Sequence, residues 1–270
     1  MKKIVCFLFC LTMATIFFAS SALAIPLGTN ITISDMVSAT NSSWYTDHED
    51  NEVEPGCQTG QQWDMEAFML DGYNLSMVGG FNLKGSTGGF SAGDIFIDIN
   101  NDAKYGRANS GSNPKNYYNS VTSNAFGYEY VLKTDFASET YSVYKLTPGY
   151  STVTVYYSVN DESNPFKYYS GGDLVQGWQG KHLNYQHGND AWIANGLTGG
   201  NHNVATFDLS FLKGVNVLNN SIITHFTLGC GNDNLMGKGT LPTAPVPEPT
   251  TLLLLGSGLL GLAGFRKKNK

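Results

Sequence analysis

An all-β fold, a single antiparallel sandwich of jelly-roll type, is what this sequence predicts, on three observations. Period-two alternation recurs along the chain: in "STVTVYYSV" Val153, Val155, Tyr157 and Val159 fall on one face and Thr152, Thr154, Tyr156 and Ser158 on the other. "GDIFIDI" aligns Ile95, Ile97 and Ile99, and "ATFDLSFL" aligns Ala205, Phe207, Leu209 and Phe211. Between such runs stand clusters of turn chemistry, "KGSTGG", "ANSGSNPKN", "TPGY", "SGGD" and "LTGGN", rich in residues that accept positive φ or close Asx turns. Charged residues are sparse, at 14 %. Short strands with one alternating face suit an antiparallel sheet with one wet side.

The chain divides into three segments. Residues 1–24 have the parts of a secretory signal peptide: Lys2 and Lys3, an apolar core from Ile4 to Phe18, and Ala22-Leu23-Ala24 as a small-x-small site for signal peptidase. Residues 25–241 form the sandwich body, long enough for one large β domain and short for two. Residues 242–270 begin with a proline cluster, continue as an apolar run from Thr250 to Phe265, and end in a basic tail, 266–270. That run makes about 24 Å of helix at about 1.5 Å per residue, short of a hydrocarbon core of roughly 30 Å. Gly256, Gly258, Gly261 and Gly264 weaken it further. A stop-transfer reading fits. The body crosses the inner membrane, the tail helix halts there transiently, and the basic end stays on the cytoplasmic side.

Of 16 Lys and Arg, two lie in the leader and four in the basic tail, leaving ten against 22 Asp and Glu, so residues 25–249 carry about −12. Phosphate backbones repel such a surface, which argues against a nucleic-acid partner.

Candidate sites in the body are few. At the end of the "GDIFIDI" strand, Asp98, Asn100 and Asp102 place oxygen donors at alternate positions, a pattern able to converge on a hard cation such as Ca²⁺. Ala103 and Asn109 stand where an EF-hand loop needs Gly and Glu, so that motif is absent; Asp94, Asp64 and Glu66 can join only through the fold. An Asx-rich turn ending a strand is the competing reading. Trp178 and Trp192, in a polar stretch, are candidate stacking surfaces for sugars, against ordinary core packing. Cys57 and Cys230 are the two cysteines left once the leader is removed; in an oxidising compartment they are expected to pair as a disulfide. The five histidines show no metal-ligand spacing, and His-Glu-x-x-His and phosphate-loop motifs are absent.

The C-terminal constellation of Pro247-Glu248-Pro249, a Leu/Gly helix and Arg266-Lys267-Lys268 closely resembles the PEP-CTERM sorting domain. The resemblance implies that an exosortase recognises the Pro-Glu-Pro motif, removes the helix, and releases the protein to the cell surface or exopolysaccharide (biofilm) matrix of a Gram-negative-type bacterium. The segments "QWDMEAFMLDGYNLSMVGGFN", "GDIFIDINNDAKYG", "GYEYVL" and "THFTLGCGNDNLMGKG" are similar to stretches of other exosortase-sorted surface proteins. The expected function is an exported envelope or matrix protein with a structural or adhesive, carbohydrate-binding body, with no catalytic residue assigned. The alternative is a secreted glycoside hydrolase or lyase acting on polysaccharide.

Overall fold

The computed structural model describes residues 27–33, 58, 60–103, 121–123, 126–157, 163–189, 197 and 199–243. Among them the regular structure is antiparallel β with short 3-10 turns and no α-helix. The strands are β1 (Thr29–Asn30), β2 (Met65–Asp71), β3 (Asn74–Gly79), β4 (Ile95–Asp98), β5 (Val121–Ser123), β6 (Tyr130–Asp135), β7 (Thr140–Val153), β8 (Lys167–Leu174), β9 (Lys181–His182), β10 (Asn184–Asn189), β11 (Asn201–Asp208), β12 (Ser221–Thr227) and β13 (Asn234–Thr240). One sheet runs β1-β2-β3-β11-β10; the other runs β13-β12-β4-β6-β7-β5, with β8 and β9 also paired to β7. The sandwich read from the sequence is the fold.

At two corners one chain segment serves both sheets. Asn30 pairs with Met69 of β2, and the next residues turn to β13: Ile33 N–H donates to Met236 O (2.8 Å) and Lys238 N–H to Ile31 O (2.7 Å). At the second corner β9 pairs with β7 and β10 with β11, and Leu183, fully buried between them, donates its N–H to Glu139 O (2.9 Å).

The central core lies between the sheets. Phe68, Leu75 and Met77 from β2 and β3 meet Ile95 and Ile97 of β4, Leu132, Val143, Phe207 and Phe226. The alternation in "GDIFIDI" and "ATFDLSFL" thus aims at this core, although β11 ends at Asp208 and Ser210–Leu212 form a 3-10 turn.

The expectation of one wet face per sheet fails. Ala67, Met69, Val78 and Val204 form a second cluster on the far side of the first sheet, with Leu27. Phe96, Phe126, Tyr128, Val131, Leu146 and Tyr150 form a third on the far side of the other. Strands β2, β3 and β4 are therefore apolar on both faces, and alternation there separates two cores rather than core from water.

Three further segments differ from their sequence reading. "TPGY" and "SGGD" lie inside β7 and β8 as a break in register between Leu146 and Ser151, with Gly149 and Gly171 at positive φ, so their glycines serve bulges rather than chain reversals. "STVTVYYSV" is a strand only to Val153; beyond it Tyr156 and Tyr157 donate their N–H groups to Gly229 O and Cys230 O, outside the ladder.

Candidate functional site

β4 sits in mid-sheet between β12 and β6 and delivers Asp98, fully buried, to its C-terminal end. Asp98 then builds the turn. Its Oδ1 accepts the N–H groups of Asn100 (2.7 Å) and Asn101 (2.8 Å), and its Oδ2 accepts that of Ala103 (2.8 Å). Asn100 Oδ1 accepts Asp102 N–H (3.0 Å), and Asn101 takes φ 63°, a left-handed conformation that Asn tolerates.

The neighbouring strand supplies a third carboxylate. Ile97 pairs with Tyr130 at the start of β6, which sets Glu129 beside the loop. Its Oε2 accepts Ile99 N–H (2.8 Å) and its Oε1 accepts an amide N–H of Asn100 (2.9 Å). One oxygen each from Asp98, Asp102 and Glu129 lie within 4.8 Å of one another. Burial, then repulsion from Asp98 and Asp102, pushes Glu129 up to about 7. Gly127 makes the approach possible: it has φ 80°, and a Cβ there would stand 2.5 Å from Asp102 Oδ1.

Asp98, Asn100 and Asp102, singled out in the sequence, are thus brought together, with Asn100 acting here as a bridge to Glu129. Hard oxygen donors at this separation suit Ca²⁺ chemically. Asp94, Asp64 and Glu66 do not join them. Asp94, at the other end of β4, accepts the N–H groups of Thr134 and Tyr168 (both 2.9 Å) and the Thr134 hydroxyl (3.1 Å), and burial raises its carboxyl above the usual range. Asp64 stands just ahead of β2 and Glu66 within it, where Glu66 meets His202 at 2.8 Å with both side chains fully buried.

Trp178 is a packing residue rather than an open platform. Its ring lies 5.3 Å from Phe211 and 6.4 Å from Tyr141, with the Lys181 ammonium 5.2 Å from its centroid. Trp192, Cys57 and the sorting residues Pro247, Glu248, Pro249, Arg266, Lys267 and Lys268 lie outside the described residues. Cys230 is buried. Gln58, next in sequence to Cys57, exchanges two hydrogen bonds with Asn232: its N–H donates to Oδ1 (2.6 Å) and its carbonyl accepts from Nδ2 (3.0 Å).

His225 is a neutral, satisfied sheet residue. Its Nε2 lies 3.0 Å from Pro165 O, and burial lowers it to about 4. One motif escapes a reading for catalytic signatures: Gly89-Phe90-Ser91-Ala92-Gly93 has the Gly-x-Ser-x-Gly spacing. Among the described residues no helix follows it, and Ser91 accepts a hydrogen bond from Lys167 Nζ (3.1 Å), so the strand-to-helix nucleophile elbow of a hydrolase is not built there.

The chain leaves the sandwich just beyond β13, where Leu241 is buried and donates its N–H to Asn220 O (2.8 Å), and Tyr73 OH donates to Pro242 O (3.3 Å). The model of the PEP-CTERM protein-sorting motif matches residues 245–268, a few positions further on. The chain carries a PEP-CTERM motif. Such a motif supports export, processing by an exosortase and sorting to the cell envelope. No curated protein and no solved structure matches the chain. Among the described residues no helix is long and apolar enough to cross a membrane; the apolar stretch of the PEP-CTERM motif lies outside them.

Proposed function

We propose that the body serves as a structural and adhesive component of the cell surface or exopolysaccharide matrix of a Gram-negative-type bacterium, delivered there after signal peptidase and exosortase processing. The sorting motif carries this reading, because it stands directly behind an acidic sandwich and gives that sandwich an exported destination. The body holds extracellular polysaccharide. Ca²⁺, bound by Asp98, Asp102 and Glu129 with Asn100 as a further donor, stiffens the turn that closes β4.

Replacing Glu248 with Ala, or deleting residues 266–270, is expected to leave the precursor in the inner membrane. Fractionation with peptide mass mapping checks this; secreted protein that still carries Phe265 overturns it. We further propose a Cys57–Cys230 disulfide, supported by the Gln58–Asn232 hydrogen-bond pair. Peptides mapped without reduction decide it, and two alkylatable thiols in the exported protein refute it.

A further inference from the structure

In a strand, consecutive tyrosines send one ring inward and one outward. Tyr156 and Tyr157 do neither, being 47 % and 44 % exposed. Their rings stand at 88° with centroids 5.0 Å apart, and Phe90 approaches both, at 5.5 and 5.7 Å. The backbone fixes all three. Tyr156 N–H donates to Gly229 O (2.8 Å) and Tyr157 N–H to Cys230 O (3.4 Å). Phe90 and Thr87 exchange backbone hydrogen bonds (2.9 and 3.1 Å) across a Gly88-Gly89 turn at positive φ. A Cβ at Gly88 would meet Trp63 Cη2 at 2.9 Å, so that turn is packed in place.

A surface of exposed rings in mutual contact, on backbone held by hydrogen bonds, suits one kind of ligand. The C–H faces of pyranose rings stack on aromatic faces, while phenolic hydroxyls at the rim exchange hydrogen bonds with sugar hydroxyls. Tyrosine gives this contact at low entropy cost, having only two side-chain torsions. Two rings at right angles offer a face and an edge to successive sugars of a chain. The charge of about −12 over residues 25–249 selects further, since it repels uronate or sulfated polymers.

We propose that Phe90, Tyr156 and Tyr157 form a stacking platform for neutral polysaccharide. This rests on the adhesive reading above and assigns it a site. The test uses the processed protein purified from its producing cells, titrated calorimetrically with cellohexaose, maltohexaose and hexagalacturonate. A neutral hexaose is expected to bind, and Tyr156→Ala or Tyr157→Ala to weaken it by about tenfold or more. Tyr157→Phe should keep most of the affinity. Tyr169→Ala, at an exposed tyrosine outside the cluster, should change nothing. On the unsubstituted protein, the bound hexaose should protect Tyr156 and Tyr157, but not Tyr169, from nitration by tetranitromethane. Undiminished binding by both alanine variants, or equal protection of all three tyrosines, removes the platform and leaves the adhesive reading standing. Failure of both neutral hexaoses to bind, or equally tight binding of the uronate, overturns the glycan assignment while surface sorting stands on its own test.

Discussion

The two ends of β4 carry aspartates only four residues apart in sequence, both buried, and their surroundings could hardly differ more. Asp94 is met by donors alone: two backbone N–H groups and a hydroxyl, with Lys167 near enough to favour its charge. Asp98 also accepts three N–H groups, yet it faces Asp102 and Glu129. A buried carboxylate answered by dipoles is a structural latch. One that shares its space with two more carboxylates offers hard oxygen donors to a cation. The comparison therefore separates a tie within the fold from the site proposed to bind Ca²⁺.

Three experiments can break that distinction. The largest effect belongs to the latch. Asp94→Ala leaves the N–H groups of Thr134 and Tyr168 and the Thr134 hydroxyl without their acceptor, for a loss of about 3 kcal/mol or more in urea denaturation. That loss should be the same in Ca²⁺ and in chelator; a Ca²⁺-dependent loss would make both ends of β4 one system.

Next comes the cation. A metal bound only by the folded state stabilises it by about 2.7 kcal/mol at a hundredfold excess over Kd. Melting should rise in millimolar Ca²⁺, fall with chelator, and lose this response in Asp98→Asn and in Asp102→Asn. Mg²⁺ at matched ionic strength is the control for diffuse screening. An equal rise in Mg²⁺, or an undiminished response in Asp98→Asn, reduces the loop to a turn.

The smallest effect is a slope. Glu129 is raised from 4.5 to about 7 on folding, so the folded protein holds a proton there that the unfolded chain has given up. The contribution of Glu129 to the stability of the metal-free protein should therefore fall as pH rises from 4.5 to 7. His225, whose lowered pKa adds stability over much of the same range, gives the opposite slope, and bound Ca²⁺ should flatten the Glu129 fall by favouring the ionised carboxylate. Comparing Glu129→Gln with its parent isolates this group, because Asp94, also raised, and His225, lowered, contribute equally to both. Identical slopes with and without Glu129 would show that its proton plays no part.

Much of this was legible in the sequence, for identifiable reasons. The sorting motif is contiguous and needs no fold to be read. The β4 strand and its Asp98-Asn100-Asp102 loop follow from alternation and side-chain type alone. Glu129 could not be found that way: it lies 31 residues from Asp98 and reaches it only because β6 is the neighbour of β4. The second and third cores were hidden because a residue such as Phe96 or Val78 looks the same whether it faces one apolar layer or another. Trp178 sits in a polar stretch, yet its partners Tyr141 and Phe211 come from distant strands and turns. Tyr156 and Tyr157 looked like strand residues because the bonds to Gly229 and Cys230 that pull them out of the ladder are made across the fold.

The corner formed by residues 30–33 has a mechanical consequence. Tension applied to the tail enters the sandwich at Thr240, at the end of β13. It meets the β12 ladder on one side and, through Ile31 and Ile33, a segment that continues directly into the opposite sheet. The pull is thus divided between two layers instead of peeling one strand from an edge. The second corner, at Leu183, ties the same two layers together again, so a load entering at the C-terminal end of the body is shared between them.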